Sequence, residues 1–388
     1  MLVHICCSVD SHYFLSELQK IYPDETFVGY FYNPNIHPKS EHDLRLNDVK
    51  RSCELLNIKL ITGEYDTQDW FAGVKGLECE PEKGERCTQC FDIRLMKSAQ
   101  IAKAINEKRF TTTLLSSPMK EQEKLYTQGE AIAEKNDLEF IKINVRANGG
   151  VQKQNELAKE SNLYRQNYCG CKFALEQQRN KQNKFSLEMI SHIGNQILPG
   201  SIEERYATFA HRDNLEQQNK EYILSQRKHL VWRLLNAKVQ KGDRVLPSYI
   251  IAKSQNKKDA KSGSIVWIKP NLFENLPKIY APKKHTIEEK AQAYQNKNYL
   301  VGFCKKDDSI FVHLKLLNLL LDSTYQTTKE LLYHPPKYED ELFLRHILCG
   351  AESINPIIIV DEIFCENVRI SIQSIFQEES IFKVIENL

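Results

Sequence analysis

The chain has 388 residues, 41% of them apolar and 10% aromatic, with a net charge of +2 and eleven cysteines. That length exceeds one average domain and that apolar share suffices for a core, which excludes a largely disordered chain and makes two domains the expectation. So small a net charge excludes a global electrostatic pull on nucleic acid. No apolar run approaches the roughly 18 residues of a membrane span, and the start Met1-Leu2-Val3-His4 does not resemble a secretory leader, so the protein is expected in the cytoplasm, away from membranes.

In chain order, β-rich runs stand at Leu2 to Ile5, Phe27 to Tyr32, Lys59 to Ile61, Thr111 to Leu115 and Phe140 to Ile143. Helical apolar spacing falls between them, at Tyr13, Leu15, Leu18 and Ile21, at Phe91, Leu95, Ala99, Ala102 and Ile105, and at Leu125, Ile132 and Ala133. This alternation predicts an α/β fold: a mainly parallel sheet with helices on both faces, whose ligands bind beyond the carboxyl ends of the strands. Cys6 and Cys7 directly follow the first predicted strand.

The polar tract Gln177 to Lys184 and the turn Leu198-Pro199-Gly200-Ser201 put a boundary near residue 200. The first domain is therefore expected over 1–198 and an α+β extension over 199–388. In the extension, strands are predicted at Val245 to Ile251, Ser264 to Ile268, Tyr299 to Phe303 and Pro356 to Val360, among long charged helices. Between Glu203 and Lys261, thirteen Lys/Arg stand against seven Asp/Glu. That excess suits contact with phosphates, or else a solvated helical face.

A reducing compartment turns cysteines from structural disulfides toward metal binding and redox chemistry. Six of the eleven fall in three clusters: Cys6-Cys7, Cys87-x-x-Cys90 and Cys169-Gly170-Cys171. The C-x-x-C precedes a helix, whose dipole, with Arg86, favours the thiolates that metals require. Adjacent cysteines, and cysteines one residue apart, make strained disulfides but can aim two sulfurs at one centre. Cys169-Gly170-Cys171 is thus ligand, redox pair or both.

One structural zinc uses four ligands, fewer than these six thiols. With Asp10 three residues past the first pair, the surplus points to a four-cysteine cluster beside a site mixing thiolate and carboxylate, a combination that suits iron. Asp10 could instead cap a helix starting near Ser11. Cys53, Cys79, Cys304, Cys349 and Cys365 are read as small buried apolar side chains.

Five ordered motifs carry a resemblance: His4-Ile5-Cys6-Cys7-Ser8-Val9-Asp10; Tyr32-Asn33-Pro34-Asn35-Ile36-His37-Pro38; Arg86-Cys87-Thr88-Gln89-Cys90-Phe91 with Arg94-Leu95; Thr111 to Pro118; and Tyr164 to Cys171. Over about residues 1 to 180 the chain resembles the cobalamin-independent epoxyqueuosine reductases called QueH. The resemblance implies a fold related to nucleotide-binding α-hydrolases, a [4Fe-4S] cluster, a neighbouring mononuclear iron, and a transfer RNA substrate bearing epoxyqueuosine at the wobble position. It implies Asp10 as a ligand of the second iron, at a place where many members carry cysteine and others aspartate. The role of residues 200 to 388 is not carried over.

On this reading Cys6 or Cys7, with Cys87 and Cys90, dominate cluster ligation. The other cysteine of the pair, Asp10, Cys169 and Cys171 serve the second iron or relay electrons, and the last three are the catalytic candidates. A redox-active Cys169–Cys171 disulfide is the competing assignment. Deoxygenating an epoxide also needs a low-potential electron donor and an acid, for which His37, Tyr32 and Tyr168 are candidates. Two rivals stay in view. A transfer-RNA-thiolating enzyme of related fold needs a phosphate-cradling loop after the first strand, where Cys6 to Ser11 offers no glycine. A zinc-stabilised RNA-binding module would use the cysteines only to hold the fold.

Overall fold

The computed structural model describes residues 1–192, 194, 196–269, 278–280, 283, 285, 286, 289 and 300–386. The chain forms two compact units, the first comprising Met1–His192, Arg205–Ser225 and Phe382–Leu388 and the second Ile193–Glu204 and Gln226–Ile381. The chain therefore crosses between units more than once, where a single cut near residue 198 was expected.

The first unit is built on strands β1 (Leu2–Ile5), β2 (Val28–Phe31), β3 (Lys59–Thr62), β4 (Arg109–Thr112) and β5 (Glu139–Phe140), all parallel, in the order β3-β2-β1-β4-β5. Every residue of β1 is buried, as both faces of a helix-covered parallel strand require. Its one polar side chain, His4, is satisfied by Thr112 Oγ1 at 2.8 Å and the Tyr32 carbonyl at 3.1 Å. Chain order reverses between β1 and β4, and the crevice beyond the carboxyl ends at such a reversal is where open α/β sheets hold their ligands. Cys6 lies at that end of β1 and Thr113 at that end of β4.

The helices that matter to the site are α1 (Ser8–Ile21), α2 (Lys39–Leu55), α3 (Thr67–Gly73), α4 (Glu85–Ala104), α5 (Gln122–Asn136), α6 (Gly150–Glu160) and α7 (Lys172–Lys181). Helix α1 starts at Ser8, not near Ser11, and Asp10 makes no capping bond. The predicted strand Thr111 to Leu115 ends at Thr112, whose hydroxyl accepts from the Leu114 N–H and opens a 3-10 turn over Thr113–Leu115. Of the predicted strand Phe140 to Ile143 only Phe140 joins the sheet, in the two-residue strand Glu139–Phe140.

The second unit is α+β. One sheet takes the order Ile265–Ile268, Val301–Cys304, Ile310–His313, Ile357–Val360, Ser248–Ile251, and only its third and fourth strands pair in parallel. A leucine-rich helix, Leu314–Leu321, covers it together with Thr328–Tyr333 and Tyr338–Leu348. The expected strand Val245 to Ile251 is broken at Pro247 into Arg244–Leu246 and Ser248–Ile251, because proline supplies no ladder N–H. Tyr299, the predicted start of another strand, lies outside the described residues.

Charged helices do form in the extension, at Ile202–Gln217 and Tyr338–Leu348, but so do two long strands that were not expected, Tyr222–Lys241 and Arg369–Glu386, in a second sheet with Arg244–Leu246 and Lys257–Lys261. Part of the basic excess, Gln226 to Leu230, is exposed strand. Among the described residues no helix is long and apolar enough to cross a membrane.

Candidate metal centre

Three of the expected residues converge at the N-terminus of α1. Cys6 Sγ lies 3.7 Å from Cys7 Sγ and 3.3 Å from Asp10 Oδ2, and the three ligand atoms fall within 4.8 Å of one another. Cys7 is the N-cap and Asp10 sits in the first turn, so all three face the positive end of the helix dipole.

Each of the three accepts a hydrogen bond from an uncharged side chain on a different segment. Thr113 Oγ1 reaches Cys6 Sγ at 3.3 Å, Gln166 Nε2 reaches Cys7 Sγ at 3.0 Å, and Gln154 Nε2 reaches Asp10 Oδ1 at 2.8 Å. The bond with Cys6, burial and the Asp10 charge push the Cys7 thiol well above its usual range. Burial raises the Asp10 carboxyl too, against the bonds it receives from Cys6, Cys7 and Gln154.

Cys87, Cys90, Cys169 and Cys171 form a second group. The first two lie in the opening turns of α4 and the last is the N-cap of α7. Cys90, Cys169 and Cys171 share an apolar cluster with Trp70, Val74, Phe173 and Ala174. Burial, with the neighbouring Cys169 next, pushes the Cys171 thiol up to about 12. Burial also raises Cys87, which is near enough to Cys169 and Cys90 to sense their charges. Both groups line one cavity of 460 Å³.

The grouping differs from the expected division, which split the Cys6-Cys7 pair and put Cys169 and Cys171 with Asp10. All eleven cysteines are free, so the proposed Cys169–Cys171 disulfide is not formed. Of the five cysteines read as buried fillers, only Cys53 is buried; Cys79 and Cys365 are exposed and Cys304 and Cys349 intermediate.

The expected cation, Arg86, stands beside the thiols and is joined by a second. Arg86 spends one guanidinium nitrogen on the carbonyls of Leu77, Glu78 and Glu80, fixing the loop before α4. Arg86 also lines the cavity, where its charge lowers the Cys171 thiol against burial, and Lys120 is a second cation on the wall. Against the effect of burial, Cys169, Cys87 and Glu82 hold its ammonium in the charged form.

The three acid candidates fare differently. Tyr32 and His37 are buried and are not among the cavity-lining residues. Tyr168 lines the cavity, but its hydroxyl donates to the His37 carbonyl at 2.5 Å. The hydrogen-bonding shell of Thr113, Gln154 and Gln166 went unassigned in the sequence. Thr113 and Gln166 lie within quoted motifs, whereas nothing marks Gln154.

The donor set can be tested for metal by its chemistry. Six soft thiols and one carboxylate at a cavity wall, with burial raising three of the thiols, form anions readily only when a cation replaces the protons. The residues fit a thiophilic metal group. Fold and donor set together define a class: an α/β protein with a sulfur-lined candidate metal centre at the switch point of its parallel sheet.

The family model described as epoxyqueuosine reductase QueH matches residues 1–177. The epoxyqueuosine reductase QueH of Helicobacter pylori is 40% identical over 394 residues, covering 99% of this chain and 100% of the relative. Shorter relatives of the same name cover only the first half. That of Histophilus somni is 39% identical over 176 residues, 45% of this chain and 72% of its own. That of Thermotoga maritima is 35% identical over 189 residues, 48% of this chain and 95% of its own. Among solved structures, the U34-tRNA thiolase NcsA from Methanococcus maripaludis with its [4Fe-4S] cluster matches at 14% identity and a TM-score of 0.31, over 56% of this chain and 67% of that one. The chain belongs to the epoxyqueuosine reductase QueH family.

Proposed function

We propose that the protein reduces the epoxide of epoxyqueuosine in transfer RNA to the alkene of queuosine. Six thiols and Asp10, contributed by three motifs spread from Cys6 to Cys171, line one cavity at the sheet's switch point, and this carries the reading. The reaction breaks both C–O bonds of the epoxide, takes up two electrons and two protons, and releases the oxygen as water. A low-potential electron donor supplies the electrons.

Cys87, Cys90, Cys169 and Cys171 are the residues that would hold a [4Fe-4S] cluster, and Cys6, Cys7 and Asp10 those that would hold an additional mononuclear iron. When bound, these groups supply single electrons and a Lewis acid. Thr113, Gln154 and Gln166 fix the orientation of the second set. Lys120 contributes positive charge where thiolates and a departing oxygen would carry negative charge. Asn35 and Gln166 line the cavity wall and are amide side chains placed to contact the substrate.

The test is anaerobic incubation of reconstituted protein and dithionite with transfer RNA containing epoxyqueuosine, followed by mass analysis of the nucleosides. Loss of one oxygen from the modified nucleoside supports the reading. An unchanged nucleoside, with a fully loaded protein, contradicts it.

A further inference from the structure

The carbonyls of Tyr168, Cys169 and Gly170 are successive acceptors, and all three are tied to the short segment from His37 to Arg45. Arg45, on α2, donates Nη2 to the Tyr168 carbonyl at 3.0 Å and Nη1 to the Cys169 carbonyl at 3.2 Å. The His37 N–H donates to the Gly170 carbonyl at 2.9 Å, and the Tyr168 hydroxyl returns a bond to the His37 carbonyl. The remaining donor of the Arg45 fork, Nε, goes to Glu41 Oε1 at 2.8 Å. Glu41, fully buried, also accepts from the Tyr164 hydroxyl at 2.9 Å and 3.2 Å.

A buried ion pair is a poor source of stability, since apolar side chains of similar volume often serve the fold as well. What the guanidinium alone provides is a rigid planar fork that addresses two carbonyls and a carboxylate at once. The loop it addresses has little freedom of its own. Gly170 sits at φ +107°, and a Cβ there would meet Ile36 Cγ1 at 2.7 Å. Arg45 also lines the cavity, and its charge is near enough to be felt by Cys7 of the other ligand group.

We infer that Arg45, braced by Glu41, is a positioning residue that holds the Cys169-Gly170-Cys171 loop where its thiols can share a metal group with Cys87 and Cys90. The role rests on the assignment of those thiols as ligands.

The experiment compares wild type, Arg45→Lys and Tyr164→Phe as full-length protein reconstituted anaerobically with iron and sulfide. It reads the rate at which iron passes to a ferrous chelator, and the unfolding midpoint of the metal-free chains. Arg45→Lys keeps the charge but loses the fork, and is expected to release iron about 10-fold faster or more, the scale on which outer-shell partners act. Tyr164→Phe weakens the same buried network without touching the loop, and is expected to release iron at the wild-type rate whatever its midpoint.

Release from Arg45→Lys at the wild-type rate overturns the role. So does faster release from both variants in step with their loss of stability. Should Arg45→Lys fail to fold, Glu41→Gln, which weakens the brace on Arg45 Nε without touching the loop, takes its place: faster release out of step with stability supports the role and unchanged release overturns it. Wild-type protein that takes up no iron overturns the ligand assignment itself, and this shows before any variant is made.

Discussion

Gln154 Nε2 donates to Asp10 Oδ1 at 2.8 Å, joining α6 to α1 across 144 residues. Gln154 Oε1 in turn accepts from Ser116 Oγ at 2.6 Å, so the amide is fixed at both ends and the carboxylate with it. Gln154→Met keeps the length of the side chain and removes both bonds. It is expected to weaken ferrous iron binding at Cys6, Cys7 and Asp10 by about 10- to 100-fold, with acid-labile sulfide unchanged. Iron titration of the sulfide-loaded protein checks this.

The two ligand groups should separate by mutation. Asp10→Asn is expected to leave the brown absorption of reconstituted protein intact while lowering turnover by about 100-fold or more, as loss of a charged group at the reacting centre does. Cys87→Ser or Cys171→Ser is expected to remove the absorption and the activity together. Visible spectra recorded beside the nucleoside assay distinguish the two patterns.

Gly170→Ala places a methyl group against Ile36, at 2.7 Å from Cγ1 and 3.1 Å from Cα, on a backbone at φ +107°. A side chain in that region costs roughly 1 to 3 kcal/mol. The variant is expected to unfold at lower denaturant concentration than wild type and to retain less iron, as measured by denaturant titration and iron content.

His37 is buried and packs its ring at 5.2 Å from that of Trp70 and 5.0 Å from that of Phe71. Burial pushes its pKa from 6.5 down to about 4, and Lys172 and His42 push the same way, against a backbone bond near Asn35. Between those two values the unfolded chain holds a proton that the folded chain lacks, so stability is full above 6.5 and falls as the pH drops toward 4. The loss amounts to roughly 3 kcal/mol at most. His37→Phe is expected to flatten this part of the stability profile in denaturant titrations of the metal-free protein. An unchanged slope would count against a buried neutral imidazole.

Much of the first unit was legible because its signals are local. The buried run Leu2–Ile5 reads as a strand, and the cysteines after it stand where a parallel sheet opens to ligands. Helix α2 was not legible. Its buried side chains include Glu41, His42, Arg45, Asp48 and Ser52, a polar face that apolar periodicity cannot detect. The same helix supplies the Glu41–Arg45 pair.

The strand Tyr222–Lys241 escaped for a related reason: five consecutive exposed residues, Gln226 to Leu230, break the alternation that marks a half-buried strand. The grouping of the clustered thiols was beyond the sequence as well. Cys169 and Cys171 are placed by bonds from Arg45 and His37, more than 120 residues earlier.

The central assignment is most directly tested by iron and acid-labile sulfide content per chain in anaerobically reconstituted protein, measured together with alkylation of Cys6, Cys7, Cys87, Cys90, Cys169 and Cys171. Iron should exceed sulfide by about one per chain, and all six thiols should be protected until the metal is removed. Colourless protein carrying stoichiometric zinc, or clustered thiols that alkylate freely in iron-loaded protein, would contradict it.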